Sequence, residues 1–182
     1  MKVIETKIQG LKIIEPKVFG DERGFFLETY HRDRYKQLLE TDLEFVQDNY
    51  SRSQKNVLRG MHFQVKHPQG KLVRVVKGAV FDVAVDLRKN SPTYGMWEGV
   101  TLTAENKMQF WVPPGFAHGF IVLSEIADFE YKCTDFYHPE DEACLKWNDK
   151  DVDIKWPLHD PILSEKDAKG AAFKDLLIGA ID

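Results

Sequence analysis

Two histidines, His62 and His118, lie in segments whose composition suggests acid–base or ligand chemistry. His62 falls in NVLRGMHFQ (residues 56–64), three residues after Arg59. His118 falls in WVPPGFAHGF (residues 111–120), where a Pro-Gly turn follows a strand-like run. Imidazole readily exchanges a proton near neutral pH and is also the commonest metal ligand in proteins. The first question is therefore whether these histidines bind a metal or move protons.

Together the two segments resemble the pair of sequence motifs found in cupins, small antiparallel β-barrels with a site in the barrel mouth. Metal-binding cupins carry HxH and a Glu in the first motif and a further His in the second. Here Gln64 stands in place of the second His, and the strand that follows supplies Lys71 and Arg74 instead of a carboxylate. Two imidazoles beside two cations make a poor divalent-metal site, because ligands are lacking and like charges repel. The sequence predicts no metal and disfavours a metal-dependent cupin oxygenase.

A cationic cleft with a neutral base suits the removal of a proton next to a ketone. This reaction requires a base and a group that stabilises the enolate oxygen. His62 is the candidate base, and Lys71 could supply positive charge without a metal. Each also has an ordinary alternative, since His62 alone could be a hydrogen-bonded core histidine and Lys71 a solvated surface charge.

Strand-like segments dominate the chain and must position these side chains. Residues 71–76 and 79–87 are β-branched runs separated by Lys77-Gly78, which predicts a β-hairpin. Alternation within the second run predicts a sheet with one face on the core. Helices are predicted over residues 33–40 and, as a second candidate, 173–177. Many short strands favour a sandwich or barrel over alternating β-α units. The further strand-like runs are residues 25–29, 57–64, 97–102, 109–112, 119–123 and 127–134.

The spacing of Arg59 and His62 raises a geometric question. They are an odd number of positions apart, so on an uninterrupted strand they would point to opposite faces. A β-bulge at Gly60 would direct both side chains into the barrel. We therefore predict a bulge at this glycine.

Composition restricts the class of protein. The 182 residues suffice for one domain with a substantial core, and we expect a single domain over residues 1–182. The net charge of −4, with both signs interspersed, provides no basic face for nucleic acid or an anionic membrane. The start MKVIETK is charged before any apolar run develops, which predicts no signal peptide, and no stretch approaches bilayer length. Cys133 and Cys144 have no metal-like spacing and are expected to be reduced thiols in a cytoplasm.

Seven segments together resemble the dTDP-4-dehydrorhamnose 3,5-epimerase family of cupin epimerases, over a stretch from about Arg23 to Asp167. They are VLRGMHFQ (57–64), QGKLVR (69–74), VFDVAVDLR (80–88), SPT (91–93), AEN (104–106), PGFAHGF (114–120) and WND (147–149). The resemblance implies a mainly β fold, a cupin or double-stranded β-helix (jelly-roll) barrel with a few short helices. It also implies a cofactor-free isomerase that converts dTDP-4-dehydro-6-deoxy-D-glucose to dTDP-4-dehydro-L-rhamnose by inverting carbons 3 and 5 through an enolate.

The resemblance also assigns roles to individual residues. Transferred position by position, it makes His62 the proton acceptor and Tyr131 the proton donor on the opposite face of the sugar. Asp167 would orient His62, and Lys71 would lie at the keto oxygen. The positions expected to bind the nucleotide sugar are Arg23, Glu28, Gln47, Asp48 (through its backbone), Asn49, Arg59, Lys71, His118, Glu142 and Lys166.

Alternatives remain open at the level of residues and of function. Ser164 and Asp167 have the spacing of a helix capping box, and Tyr131 could be a half-buried core aromatic. An epimerase that inverts only one carbon would share the same base and acid, whereas a non-catalytic nucleotide-sugar-binding cupin would need neither. The family further implies a homodimer, a cytoplasmic location and a role in carbohydrate biosynthesis such as that of lipopolysaccharide O-antigen.

Overall fold

The computed structural model describes residues 1–176, and its secondary structure is mainly β. The strands are β1 (Lys2–Glu5), β2 (Lys12–Glu15), β3 (Val18–Asp21), β4 (Gly24–Leu27), β5 (Gln47–Gln54), β6 (Leu58–Gln64), β7 (Lys71–Lys77), β8 (Ala79–Asp86), β9 (Trp97–Thr103), β10 (Gln109–Val112), β11 (Phe116–Val122), β12 (Ile126–Cys133) and β13 (Glu142–Cys144). The helices are α1 (Arg32–Leu39) and α2 (Glu165–Ala168), with one 3₁₀ turn at Phe173–Asp175. The helix predicted over residues 173–177 is therefore only this 3₁₀ turn. The last residue of that predicted range, Leu177, lies outside the described residues.

Eleven of the strands form two large antiparallel sheets that enclose an apolar core, and β3 and β4 pair in a separate hairpin. The six-stranded sheet has the order β1-β2-β10-β7-β12-β5, and the five-stranded sheet the order β13-β6-β11-β8-β9. Inner-face residues of both sheets, among them Val73, Ala84, Phe110 and Phe129, pack in one buried cluster. From β5 to β13 the chain passes between the two facing sheets at every step except the β8–β9 hairpin, so the architecture is a jelly-roll barrel. This confirms the predicted fold class.

The predicted hairpin of β7 and β8 is wrong, although both strands exist where they were expected. β7 pairs with β10 and β12, whereas β8 pairs with β11 and β9 in the other sheet. The chain crosses between sheets at Gly78, whose φ is +75°. A Cβ on this glycine would lie 2.1 Å from the backbone oxygen of Ile126, so the tight crossing requires glycine.

Strand β8 is buried on both faces, which corrects the expectation of one core face. Val80 and Ala84 face the barrel core. Val83 and Val85 point the other way and pack in a second cluster with Trp156 of the C-terminal segment. The C-terminal segment therefore covers the outer face of the five-stranded sheet, and the strand is central in a layered structure.

Helix α1 lies outside the barrel. Its Tyr35 and Leu39 are buried, and they pack in a cluster with Ile14, Leu72 and Trp111 from the six-stranded sheet. The Tyr35 hydroxyl donates to Gln109 Oε1 at 2.7 Å, which ties the helix to β10. No helix in residues 1–176 is long and apolar enough to cross a bilayer.

Candidate active site

A bulge in β6 directs Arg59 and His62 to the same side. His62 pairs with His118 and Arg59 with Phe120, so three steps along β6 match two along β11. The extra residue follows Gly60, whose φ is +127°. A Cβ there would lie 2.6 Å from the Cα of Gly119, so only glycine fits. The predicted bulge is confirmed, and both side chains line one cavity.

This cavity, of about 370 Å³, lies between the inner faces of the two sheets. Its volume is in the range of small-molecule sites. Residues from both sheets and from two loops contribute to its walls. They are Gln47, Asn49, Ser51, Arg59, His62, Gln69, Lys71, His118, Gly119, Phe120, Phe129, Tyr131, Tyr137 and Glu142.

His62 and Asp167 form a hydrogen-bonded pair at one wall. His62 Nε2 lies 2.6 Å from Asp167 Oδ1, and the carboxylate side chain is only 5% exposed. Burial would raise the pKa of Asp167, but the hydrogen bond and charge of His62 outweigh it and lower that pKa. The ionised carboxylate accepts from Nε2–H and leaves Nδ1 as the nitrogen that can take a proton.

The capping alternative for Asp167 is only partly correct. Its amide N–H donates to Ser164 Oγ at 3.1 Å, so Ser164 caps α2. The carboxylate, however, does not complete a capping box but bonds to His62. The short helix α2 therefore serves to hold a carboxylate against the barrel wall.

Glu142 lies beside the other nitrogen of the same imidazole. Its Oε1 is 3.7 Å from His62 Nδ1, while its Oε2 accepts from the Tyr137 hydroxyl at 2.6 Å and from Lys166 Nζ. Burial opposes ionisation of Glu142, but the hydrogen bonds from Lys166 and Tyr137 prevail and lower its pKa. Lys166 is thus connected to the site through Glu142.

Tyr131 and Lys71 reach the cavity from the six-stranded sheet, opposite His62. Tyr131 lies on β12 and pairs across the ladders with Asn49 and Val73. Burial raises the pKa of Tyr131 to about 12, so its phenol is protonated at neutral pH. Burial lowers the pKa of Lys71, although Cys133 and other acidic neighbours oppose this change. The imidazole of His62 and the protonated phenol of Tyr131 therefore lie on opposite walls of one cavity, which the amine-bearing side chain of Lys71 also lines.

Most of the other predicted binding residues also lie at this cavity. Gln47 and Asn49 line it and are hydrogen bonded to each other at 3.1 Å. Arg59 lines it with its Nε donating to Ser53 Oγ at 2.9 Å. The side chain of Asp48 points to the opposite face of the sheet, where it pairs with Lys132 at 2.9 Å. Asp48 is not among the residues that line the cavity, and its predicted backbone contact stays a prediction.

Arg23 and Glu28 do not line the cavity, so the structure of one chain does not bring them to the predicted site. Arg23 lies at the tip of the β3–β4 hairpin, with its side chain 87% exposed and paired with Asp21. Glu28 follows β4 and pairs with Arg34. Both belong to a region that projects from the barrel.

Sequence reasoning missed several residues at the cavity. Ser51 and Phe129 could have been found from alternation, since they lie two positions from Asn49 and Tyr131 on the same strand faces. Tyr137 lies in a loop with no periodic signal. The other missed lining residues are Gln69, Gly119 and Phe120.

One group of potential metal ligands lies at the site. Ligand atoms of His62, Cys144 and Asp167 are within 4.8 Å of one another. Burial raises the pKa of the Cys144 thiol to about 12, so it is protonated and a weak ligand at neutral pH. His62 and Asp167 already bond to each other. The chemistry of this donor set fits proton transfer better than metal binding.

A jelly-roll barrel with such a cavity between its sheets, lined by one histidine from each of the two sequence motifs, defines a cupin. Residues 5–175 match the family described as dTDP-4-dehydrorhamnose 3,5-epimerase. The dTDP-4-dehydrorhamnose 3,5-epimerase of Pseudomonas aeruginosa is 56% identical over 176 residues, which are 96% of this chain and 97% of that protein. The chain belongs to the dTDP-4-dehydrorhamnose 3,5-epimerase family.

Two further comparisons agree with this assignment. The Shigella flexneri enzyme of the same name is 54% identical over 96% of this chain and 97% of its own length. A crystal structure of the Legionella pneumophila dTDP-6-deoxy-D-glucose-3,5-epimerase, in complex with dTDP-4-keto-L-rhamnose, is 57% identical with a TM-score of 0.94. That match covers 98% of this chain and 95% of the Legionella chain.

Proposed function

We propose that this chain converts dTDP-4-dehydro-6-deoxy-D-glucose to dTDP-4-dehydro-L-rhamnose, inverting carbons 3 and 5. One observation supports this most directly. His62, which is hydrogen bonded to Asp167, and the protonated phenol of Tyr131 line one cavity from opposite sheets. Inversion of a carbon requires that the proton leave from one face and return to the other, so opposed base and acid suit an epimerase.

The proposed reaction proceeds through an enolate. Nδ1 of His62 takes the proton from carbon 5, and the electron pair of the C–H bond moves into the ring as the 4-keto oxygen becomes an oxyanion. Lys71 stabilises this oxyanion by its positive charge. Tyr131 then protonates carbon 5 from the opposite face as the ketone forms again. Proton exchange with solvent returns His62 to its neutral form and Tyr131 to the phenol. His62 then removes the proton of carbon 3, and a proton is returned to that carbon from the opposite face. The substrate's ketone is the electron sink, so no metal or redox cofactor is needed.

The nucleotide sugar is held by residues around this centre. Arg59 is the natural partner for the diphosphate, because a guanidinium binds phosphate oxygens in pairs. Gln47, the Asp48 backbone, Asn49 and His118 supply further polar contacts. Glu142 and Lys166 contribute as the ion pair that they form at the cavity wall.

The direct test supplies purified protein with dTDP-4-keto-6-deoxyglucose, a 4-keto reductase and NADPH in the presence of EDTA. We expect dTDP-L-rhamnose, identified by NMR, at a rate that EDTA does not lower. Inversion at a single carbon in the NMR spectrum would show a 3- or 5-epimerase instead. Binding of dTDP without any turnover would show a non-catalytic nucleotide-sugar-binding cupin. Loss of activity in EDTA that a transition metal restores would overturn the metal-free mechanism.

Lys71→Met is expected to lower kcat by on the order of 10²-fold, as does loss of an oxyanion donor elsewhere. The ammonium is the active form, so activity is present below its pKa and is lost above it. Burial lowers the pKa of Lys71 from 10.5. The alkaline loss of wild-type kcat should therefore begin below pH 10.5, and the variant should lack it. The measurement is kcat against pH, with Lys132→Met as the control. If only KM rises, Lys71 binds phosphate and the enolate is stabilised by another group.

We further propose a homodimer in which the β3–β4 hairpin of each subunit enters the cavity of the other. This accounts for Arg23 and Glu28, which lie away from the cavity of their own chain. The hairpin also exposes Phe19, Phe25 and Phe26 by 53%, 62% and 70%, an apolar surface that a second subunit could cover. We propose in addition that residues 1–182 form a single domain, that the enzyme is cytoplasmic and that its product supplies rhamnose for polysaccharides such as O-antigen.

Mixing two inactive variants tests the exchange of hairpins. Arg23→Ala and His62→Ala chains are unfolded together, refolded and assayed at substrate concentrations below KM. A mixed dimer would hold one intact site, so random assortment should restore about a quarter of wild-type activity. No recovery in a sample that light scattering shows to be dimeric would mean that Arg23 acts in its own chain or not at all.

A further inference from the structure

Asp82 is a fully buried carboxylate for which the proposed mechanism has no role. It lies on β8 with 0% exposure, on the same face as Val80 and Ala84, which belong to the apolar barrel core. Burying a charged group in such a place is strongly unfavourable unless partners compensate it. The partners of Asp82 therefore indicate what the carboxylate does.

One partner is His118 from the neighbouring strand. His118 Nε2 lies 2.9 Å from Oδ1 and 3.1 Å from Oδ2 of Asp82. The near-equal distances fit an N–H group directed between two carboxylate oxygens. The ring is 7% exposed and stacks at 6.3 Å on Phe129. Its orientation is thus fixed on one edge by Asp82, and the remainder of the ring lines the cavity.

The positive charges of groups at the cavity also act on Asp82. Burial raises the pKa of Asp82, while the positive charges of His118 and Lys71 act in the opposite direction. Asp82 is likewise one of the acidic groups that favour the charged form of Lys71. Titratable and charged groups surround Asp82 and His118 on several strands. They are Arg59, His62 (with Asp167), Lys71, Tyr131, Cys133 and Glu142 (with Tyr137 and Lys166).

We propose that Asp82 is a positioning residue for the reaction, fixing the orientation of the His118 ring at the cavity wall. It does not touch the substrate. It acts through His118, whose Nε2–H it accepts and whose other ring atoms it thereby holds toward the cavity. This inference rests on the proposed epimerase function.

Asp82→Asn tests the proposal, because asparagine keeps the shape of the side chain but removes its charge. We expect kcat to fall roughly ten- to a hundred-fold, as for loss of a buried charged partner. A smaller change in KM is expected, since the diphosphate is bound elsewhere.

A second measurement does not depend on turnover. Nitrogen-15 NMR of the histidine rings, with His118→Gln to assign the signal, reports which ring nitrogen of His118 carries the proton. We expect Nε2–H in the wild type and a changed proton distribution in Asp82→Asn. If the wild type fails to turn over the sugar, the proposed function is wrong, whereas the NMR result still tests the pairing of Asp82 and His118.

The control is Asp128→Asn, which removes another buried carboxylate. Asp128 is 4% exposed and binds Arg52 at 2.6 and 2.7 Å, but it does not line the cavity. This variant should lose stability and keep the wild-type His118 signal. The proposal is overturned if folded Asp82→Asn keeps wild-type kcat, or loses kcat with the His118 signal unchanged. If Asp82→Asn does not fold, a wild-type His118 protonated only at Nδ1 overturns it, and protonation at Nε2 supports it.

Discussion

His62→Ala is expected to lower kcat by at least ~10²–10⁴-fold, the usual contribution of a general base. The loss should be at the upper end, because no other side chain is placed to substitute. The other histidine of the cavity, His118, already directs its Nε2 to Asp82. Binding of dTDP should change little, since the diphosphate contacts come from residues such as Arg59. Steady-state kinetics and calorimetric titration with dTDP measure the two effects separately.

Two further variants test the assignment of His62 as the base. Asp167→Asn should also slow the reaction, less severely, by leaving His62 poorly oriented and its positive charge less stabilised. His159→Ala, at an exposed loop position, should leave kcat unchanged. A His62→Ala protein that retains more than half of wild-type turnover would refute the assignment of the base.

Tyr131→Phe should separate proton removal from inversion. The substitution keeps the ring, which packs near Phe129 with centroids 5.9 Å apart, and removes only the donor. His62 should still take the proton beside the ketone and return one to the same face. In D₂O the variant should therefore incorporate deuterium into the substrate while forming epimerised product at least ~10²-fold more slowly. NMR follows exchange and inversion in the same sample.

The outcome at carbon 5 decides the role of Tyr131. Inversion at the wild-type rate would make Tyr131 a core aromatic without a chemical role. Loss of both exchange and inversion, in a folded protein that binds dTDP, would place the phenol at the enolate instead. Tyr50→Phe, an exposed tyrosine on β5, is the matched control and should behave as wild type.

Local sequence patterns predicted eight of the thirteen strands, β4 and β6 to β12, and missed β1, β2, β3, β5 and β13. Residues 109–112 were predicted as a strand and form β10 with the same bounds. The odd spacing of Arg59 and His62 predicted the bulge at Gly60, because strand alternation and glycine conformation are local properties. The family resemblance supplied Tyr131 and Asp167, which composition and spacing would not have selected.

Tertiary structure decided what depends on distant partners. The Gly-containing turn predicted that β7 and β8 pair with each other. The two strands lie in opposite sheets instead, where each pairs along its edges with strands of its own sheet and buries its inner face in the core. Asp167 meets His62 across 105 residues, and Asp82 finds His118 on another strand 36 residues away. Arg23 fits the family pattern yet lies outside the cavity of its own chain. Side-chain periodicity is a property of neighbouring residues, so it can be predicted from the sequence. The compensation of a buried charge depends instead on which strands the whole barrel brings together.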